Sequence, residues 1–195
     1  QTSGLLLAGF TLGACVALQY ALDYPDEVDG LVLMTVAMRP KERAPGGLEF
    51  RLDAAKHSAV HEEWFDAMRH AMMFVEPGLR EELIECHRKV GPTSQHNDLV
   101  TIDKFDVQAR IKDLKAPLVL IRGVDDPGKP AEYELEIHEA VPGSRYIKLE
   151  QAGHFEGEQA SGSKRDREEG EEEGDGGESV QASKTCKFEE ESSPA

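Results

Sequence analysis

The sequence predicts an α/β protein: a parallel sheet with flanking helices, a helical insertion and an acidic tail. Three observations predict it. Short apolar runs recur at residues 5–8, 30–35 and 117–121, each bounded by Gly, Pro or polar residues, as in strands buried on both faces. The segment between the first two runs has a helical period and short links, which makes a βαβ unit. After Phe155 the composition turns to Glu, Gly, Ser and Lys with almost no large apolar residue.

Taken in order, Leu5-Leu6-Leu7-Ala8 between Gly4 and Gly9 reads as the first strand. From Thr11, apolar residues fall at Leu12, Cys15, Val16, Leu18, Ala21 and Leu22, mostly three or four apart, so a helix follows. It stops near Tyr24, because Pro25 disfavours helical geometry in the residue before it. Gly30 to Thr35 is the second strand, and residues 39–47 are a loop. Residues 48–90 are helical by pattern, with Leu52, Ala55, Val60, Trp64, Phe65, Met68, Met72 and Met73 in one stretch. Leu79, Leu83 and Ile84 lie in a second stretch, divided from the first by Pro77-Gly78. The polar residues from Gly91 to Asp98 read as a connection, and Phe105, Val107 and Ile111 lead into a third strand at Pro117–Ile121. Gly123 to Pro130 is a turn-rich loop, Ala131 to Ala140 a helix, and Tyr146–Leu149 a strand near the sheet edge. Residues 1–155 thus form one domain, with an insertion at about 39–112, and residues 156–195 a disordered tail that cannot bury enough apolar surface to offset chain entropy.

Charge and cysteine usage exclude several classes. The chain of 195 residues carries a formal net charge of −16, of which −8 falls in residues 155–195. Such a balance argues against nucleic acid or a membrane surface as partner, since both call for Lys/Arg excess. The tail reads as a solvating spacer, with an acidic partner-binding segment as the other reading. The 3 cysteines, Cys15, Cys86 and Cys186, are too few and too far apart for a disulfide framework or a CxxC metal site. His57 and His61 share a helical face, but no third ligand stands at a zinc spacing; with His70 and His87 they read as solvated helix residues, so no metal is expected. No apolar run approaches the roughly 20 residues that span a bilayer. No basic segment precedes the first apolar run, which therefore does not read as a signal peptide, and the cytoplasm is the favoured compartment. Gln1 in place of Met suggests a processed chain or a piece of a longer one.

One motif carries chemistry. Gly9-Phe10-Thr11-Leu12-Gly13 follows a strand and opens a helix, which is the context of a G-x-S-x-G nucleophile elbow with Thr at the central position. The sharp strand-to-helix turn forces the central residue to positive φ and lifts its hydroxyl above the sheet, while Gly9 and Gly13 let strand and helix approach. The backbone N–H of Leu12, at a helix N-terminus, would face a developing oxyanion.

On these residues the chain resembles the α/β-hydrolase superfamily, in its cap-bearing esterase, lactonase and aminopeptidase-like branch. LLLAGFTLGACVALQYALDYPDEVDGLVLM at residues 5–34 resembles the family's strand, elbow, helix and following strand. APLVLIRGVDD at 116–126 resembles the strand and loop presenting the triad acid, and AVPGSRYIKLEQAGH at 140–154 the last strand and the Gly-His presenting the base. The order nucleophile, acid, His is the one this fold uses. The resemblance implies Thr11 as nucleophile, Asp126 as acid and His154 as base, with Asp125 the competitor for the acid, and it implies no cofactor. It also implies a cap over the nucleophile, with Trp64, Met68 and Met72 as pocket candidates; such a stripe is more often helix core than a ligand pocket.

Departures from the family pattern shape the functional expectation. A β-branched residue fits positive φ poorly, and its methyl restricts χ1 where the hydroxyl must swing. Cys15 lies one helical turn on and reads as packing, not as a substitute nucleophile. Only ten residues precede Thr11, so the family's first four strands, and the loop donating its second oxyanion N–H, have no counterpart; the parallel sheet corresponds to strands five to eight. The first strand then becomes an exposed edge through which the chain could associate. The expected function is hydrolysis of an ester, lactone or amide of a small apolar substrate. The alternative is a catalytically silent pseudoenzyme or truncated product; adaptation of an acidic protein to high salt is a weaker third reading.

Overall fold

The computed structural model describes residues 4–39, 47–56, 62–127, 129–154 and 188–192. Strand β1 (Leu5–Phe10) leads into helix α1 (Leu12–Asp23) and strand β2 (Val28–Met34). Four helices follow, α2 (Gly47–Lys56), α3 (Glu62–Ala71), α4 (Pro77–Val90) and α5 (Pro92–Lys104). A 3₁₀ turn at Ile111–Asp113 then leads to β3 (Leu118–Gly123), α6 (Glu132–Ala140) and β4 (Arg145–Leu149); β5 (Phe188–Ser192) comes last.

The strands lie in the order β1-β2-β3-β4-β5, the first four parallel. Leu7 sits beside Leu31, Leu33 beside Leu120, and Ile121 beside Ile147, so apolar residues line up in rows across the sheet. One core joins sheet and helices, with Leu18, Leu31, Leu33, Leu120, Ile137 and Tyr146 fully buried. A second core, Phe65, Met72, Val75 and Ile84, is confined to α3, α4 and the turn between them. Sheet and insertion therefore have separate apolar centres.

Two elements depart from the sequence reading. Residues 91–98, read as a polar connection, open helix α5, with Pro92 in its first turn and Gly91 at φ 86° between α4 and α5. The polar residues there are mostly on the exposed face; Leu99 and Ile102 are partly buried and Gln95 is fully buried, and this polar inward position hid the periodicity. Within the segment read as a disordered tail, residues 188–192 form β5 antiparallel to β4, with Leu149 opposite Phe188. The free row of backbone N–H and C=O groups on β4 offers that pairing. The rest of the tail lies outside the described residues, as do His57 and His61. At the other margin β1 pairs only with β2 among the described residues, and Leu6 is 82% exposed.

Candidate active site

The site assembles where three strand ends meet one face of the helical insertion. Thr11 stands between β1 and α1 at φ 50°, ψ −108°, the positive-φ turn that the elbow pattern requires. Its N–H donates to the Met34 carbonyl at the end of β2 (3.1 Å), which holds the turn against the sheet. A Cβ on Gly9 would lie 2.4 Å from the Gly13 carbonyl oxygen and 2.6 Å from Ala14, so only glycine lets β1 run this close to α1. Gly13 carries no such constraint: it is exposed, and a Cβ there meets nothing within 4 Å. Leu12 is the first residue of α1, and its N–H has no carbonyl four residues back within the helix. The Thr11 Oγ1 is buried and has no hydrogen-bond partner.

Asp126 sits in the turn after β3. Its N–H donates to the Gly123 carbonyl (3.3 Å), and its Oδ1 accepts from the Lys129 N–H (3.2 Å). Its side chain is 2% exposed, and its Oδ2 accepts from His154 Nδ1–H at 2.9 Å. Asp125, the competing acid, is exposed, with its N–H on the Ala152 carbonyl. A Cβ on Gly123 would lie 2.3 Å from the Gly153 carbonyl oxygen, so β3 abuts the loop that carries the imidazole. On the other side, the His154 N–H donates to the Ala71 carbonyl at the end of α3 (3.2 Å), and Phe10 meets the imidazole edge-on at 5.7 Å.

Buried charge braces the acid loop. Arg122, on β3, donates to Glu134 of α6 (3.0 Å) and to the Lys129 carbonyl (2.8 Å), while Lys129 Nζ donates to the Thr35 carbonyl beyond β2 (2.6 Å). Burial pushes the Glu134 carboxyl above the usual carboxylate range, and Arg122 opposes that shift. Removing one partner of such a pair strands the other charge, so loop and sheet are held together as a unit.

A cavity of about 570 Å³ opens over Phe10, Thr11, Leu12 and His154 and is roofed by the insertion. Trp64 and Met68 line it. Met72 does not: it is 1% exposed within the core of the insertion, because the helical stripe divides between that core and the cavity. His87, read as a solvated helix residue, lines the cavity, and burial holds its imidazole below its ordinary value although nearby Asp98 opposes the shift. The contribution of α5, chiefly Gln95, Leu99 and Ile102, was missed with the helix itself; their i, i+4, i+7 spacing was the available signal. Cys15 is buried in α1, outside the cavity lining. Among the described residues, no three His, Cys, Asp or Glu side chains converge as metal ligands, and no helix is long and apolar enough to cross a membrane.

No protein-family model matches the chain. It is 26% identical over 157 residues to RutD of Klebsiella pneumoniae, named provisionally as a carbamate hydrolase, covering 76% of this chain and 58% of that one. It is 23% identical over 159 residues to the 2-hydroxy-6-oxo-6-phenylhexa-2,4-dienoate hydrolase of Comamonas testosteroni, covering 76% and 56%. Among solved structures, a thermophilic esterase from Thermogutta terrifontis superposes with TM-score 0.68 at 21% identity, covering 87% of this chain and 65% of that one. The enol-lactonase of Burkholderia xenovorans gives 0.65 at 18%, covering 86% and 65%. The chain has the α/β-hydrolase fold, and the curated proteins it is similar to carry hydrolase names.

Within that fold, β1 to β4 with α1 and α6 form the described part of the sheet layer, and α2 to α5 are inserted between β2 and β3. The chain spans somewhat less than two thirds of the length of these relatives. Of the residues expected at the site, Asp126 and His154 are in direct contact, and Thr11, Leu12, Trp64 and Met68 share the cavity with His154.

Proposed function

We propose that the chain, alone or as part of a longer protein, hydrolyses an ester, lactone or amide of a small, mainly apolar substrate through a Thr-His-Asp relay. One observation carries this reading: the 2.9 Å contact of Asp126 with His154 Nδ1, at a cavity that Thr11 and His154 line together. Asp126 accepts from Nδ1–H and so leaves Nε2 as the basic nitrogen. Nε2 takes the Thr11 proton as Oγ1 attacks the carbonyl carbon, and the Leu12 N–H receives the oxyanion. The proton passes to the departing alcohol or amine, and water then releases the acyl group by the reverse sequence. The hydrolase names of the relatives support the reaction class.

A second reading, a catalytically silent domain, is favoured by Thr11 itself. Its Oγ1 has no partner, and a β-branched residue at φ 50° stores strain of about 1–3 kcal/mol. Thr11→Ser and His154→Ala separate the two. Under the hydrolytic reading, release of p-nitrophenol from a short acyl ester shows a burst, rises in Thr11→Ser and vanishes in His154→Ala. Thr11→Ser with no gain over the parent removes the main support for Thr11 as nucleophile.

A further inference from the structure

One buried ion pair lies beside the site and takes no part in the proposed proton transfers. Arg122, on β3, is 6% exposed, and Glu134, near the start of α6, is 1% exposed. Burial pushes the Glu134 carboxyl up, Arg122 and Lys129 pull it down, and Asp126 raises it again, so these charges share one local field. What the pair holds is a single residue of the acid loop. One arm of Arg122 donates to Glu134 Oε2 (3.0 Å), which fixes the guanidinium plane, and the other donates to the Lys129 carbonyl (2.8 Å). The Lys129 N–H in turn donates to Asp126 Oδ1 (3.2 Å), and its ammonium donates to the Thr35 carbonyl (2.6 Å). Lys129 is therefore gripped at its carbonyl and its side chain, and its N–H passes that grip to the carboxylate. A carboxylate is rigid and planar, so holding Oδ1 aims Oδ2, the oxygen that meets His154 Nδ1 at 2.9 Å.

A buried ion pair is poor evidence for stability, because the desolvation of two charges offsets their attraction. We infer that Arg122 and Glu134 are positioning residues: through Lys129 they aim the Asp126 carboxylate at His154 Nδ1–H and so keep Nε2 free of the proton. The inference rests on the proposed relay. Within it, the pair serves the orientation of the acid and not the stability of the fold.

The imidazole itself reports this without substrate. Two-bond proton–nitrogen NMR spectra of the full chain at alkaline pH show which ring nitrogen of each histidine carries the proton, and His154→Ala identifies the His154 signals. In the parent, His154 is expected in the Nδ1–H form. Arg122→Met combined with Glu134→Met removes one charge of each sign and keeps the side-chain volume, so the surrounding field is nearly unchanged. This double variant is expected to melt cooperatively within about 5 °C of the parent, since an apolar pair replaces an ionic one. Its His154 is expected to shift toward the Nε2–H form that free imidazole prefers. Hydrolysis of a short acyl ester should fall at least about 10-fold in kcat with KM unchanged, because the wrong tautomer cannot take the nucleophile's proton. The Nδ1–H form kept in the double variant, or Nε2–H already present in the parent, overturns the assignment. So does a double variant that no longer folds, which makes the pair structural. The two readings fail separately: a tautomer switch with no ester hydrolysis in the parent ends the hydrolytic reading alone, and a His154-dependent burst with no switch ends only this one.

Discussion

Thr11 and Gly9 divide between them what a tight strand-to-helix turn demands. Thr11 takes the positive φ despite its branched Cβ, and Gly9 supplies the empty space that a Cβ would fill at 2.4 Å from the Gly13 oxygen. The atoms in the way are backbone, which cannot swing aside as a side chain would. Gly9→Ala should therefore cost about 1–3 kcal/mol as overpacking, read as a fall in melting temperature. Gly13→Ala, with open space around it, should leave the midpoint nearly unchanged. Equal effects at both positions would remove the close approach as the reason for glycine at position 9. The pattern G-x-T-x-G announced the turn in the sequence; which of its glycines is sterically required did not follow from spacing, because that depends on what lies beside each one.

Among the elements, the corner between α4 and α5 has the clearest pH signature. His87 is pushed below its ordinary value, first by burial, against the pull of Asp98. The unfolded chain keeps the imidazole at about its ordinary 6.5. Below that value the unfolded state binds a proton that the folded state resists, so stability is fully present above it and falls as the solution is acidified. Between about pH 7.5 and 5.5, the parent chain is expected to lose more melting temperature than His87→Asn. Parallel profiles would show that His87 is not held neutral by the fold. The corner itself was illegible from the chain, since α5 begins with Pro-Thr-Ser-Gln, residues that also make loops, and its inward position 95 is polar. Strands β1 to β3, by contrast, were legible because short apolar runs bounded by turn residues have few other uses.

At the scale of the whole molecule, the sheet is lopsided. β4 is covered along its outer side by β5, whereas β1 has a neighbour only at β2 among the described residues. Leu6, 82% exposed on β1, adds apolar surface at that edge. Such an edge templates pairing with another chain. Light scattering should show a mass that rises with concentration, and Leu6→Lys should suppress the rise, since a charge on an edge strand opposes strand addition. A mass independent of concentration in the parent would mean that the edge is covered.

The linear sequence determined which residues form strands β1 to β4, where the tight turn lies, and that a hydroxyl, a carboxylate and an imidazole follow one another in the order this fold uses. These are local matters: apolar runs, helical period and turn chemistry are set by neighbours a few positions apart. Tertiary structure alone decided that Asp126 and not Asp125 meets His154, that Met72 serves the core of the insertion, and that His87 and Gln95 reach the cavity. Each of those outcomes turns on which way a side chain points once separate segments have packed, and spacing within one segment can mark a shared face but not what that face meets.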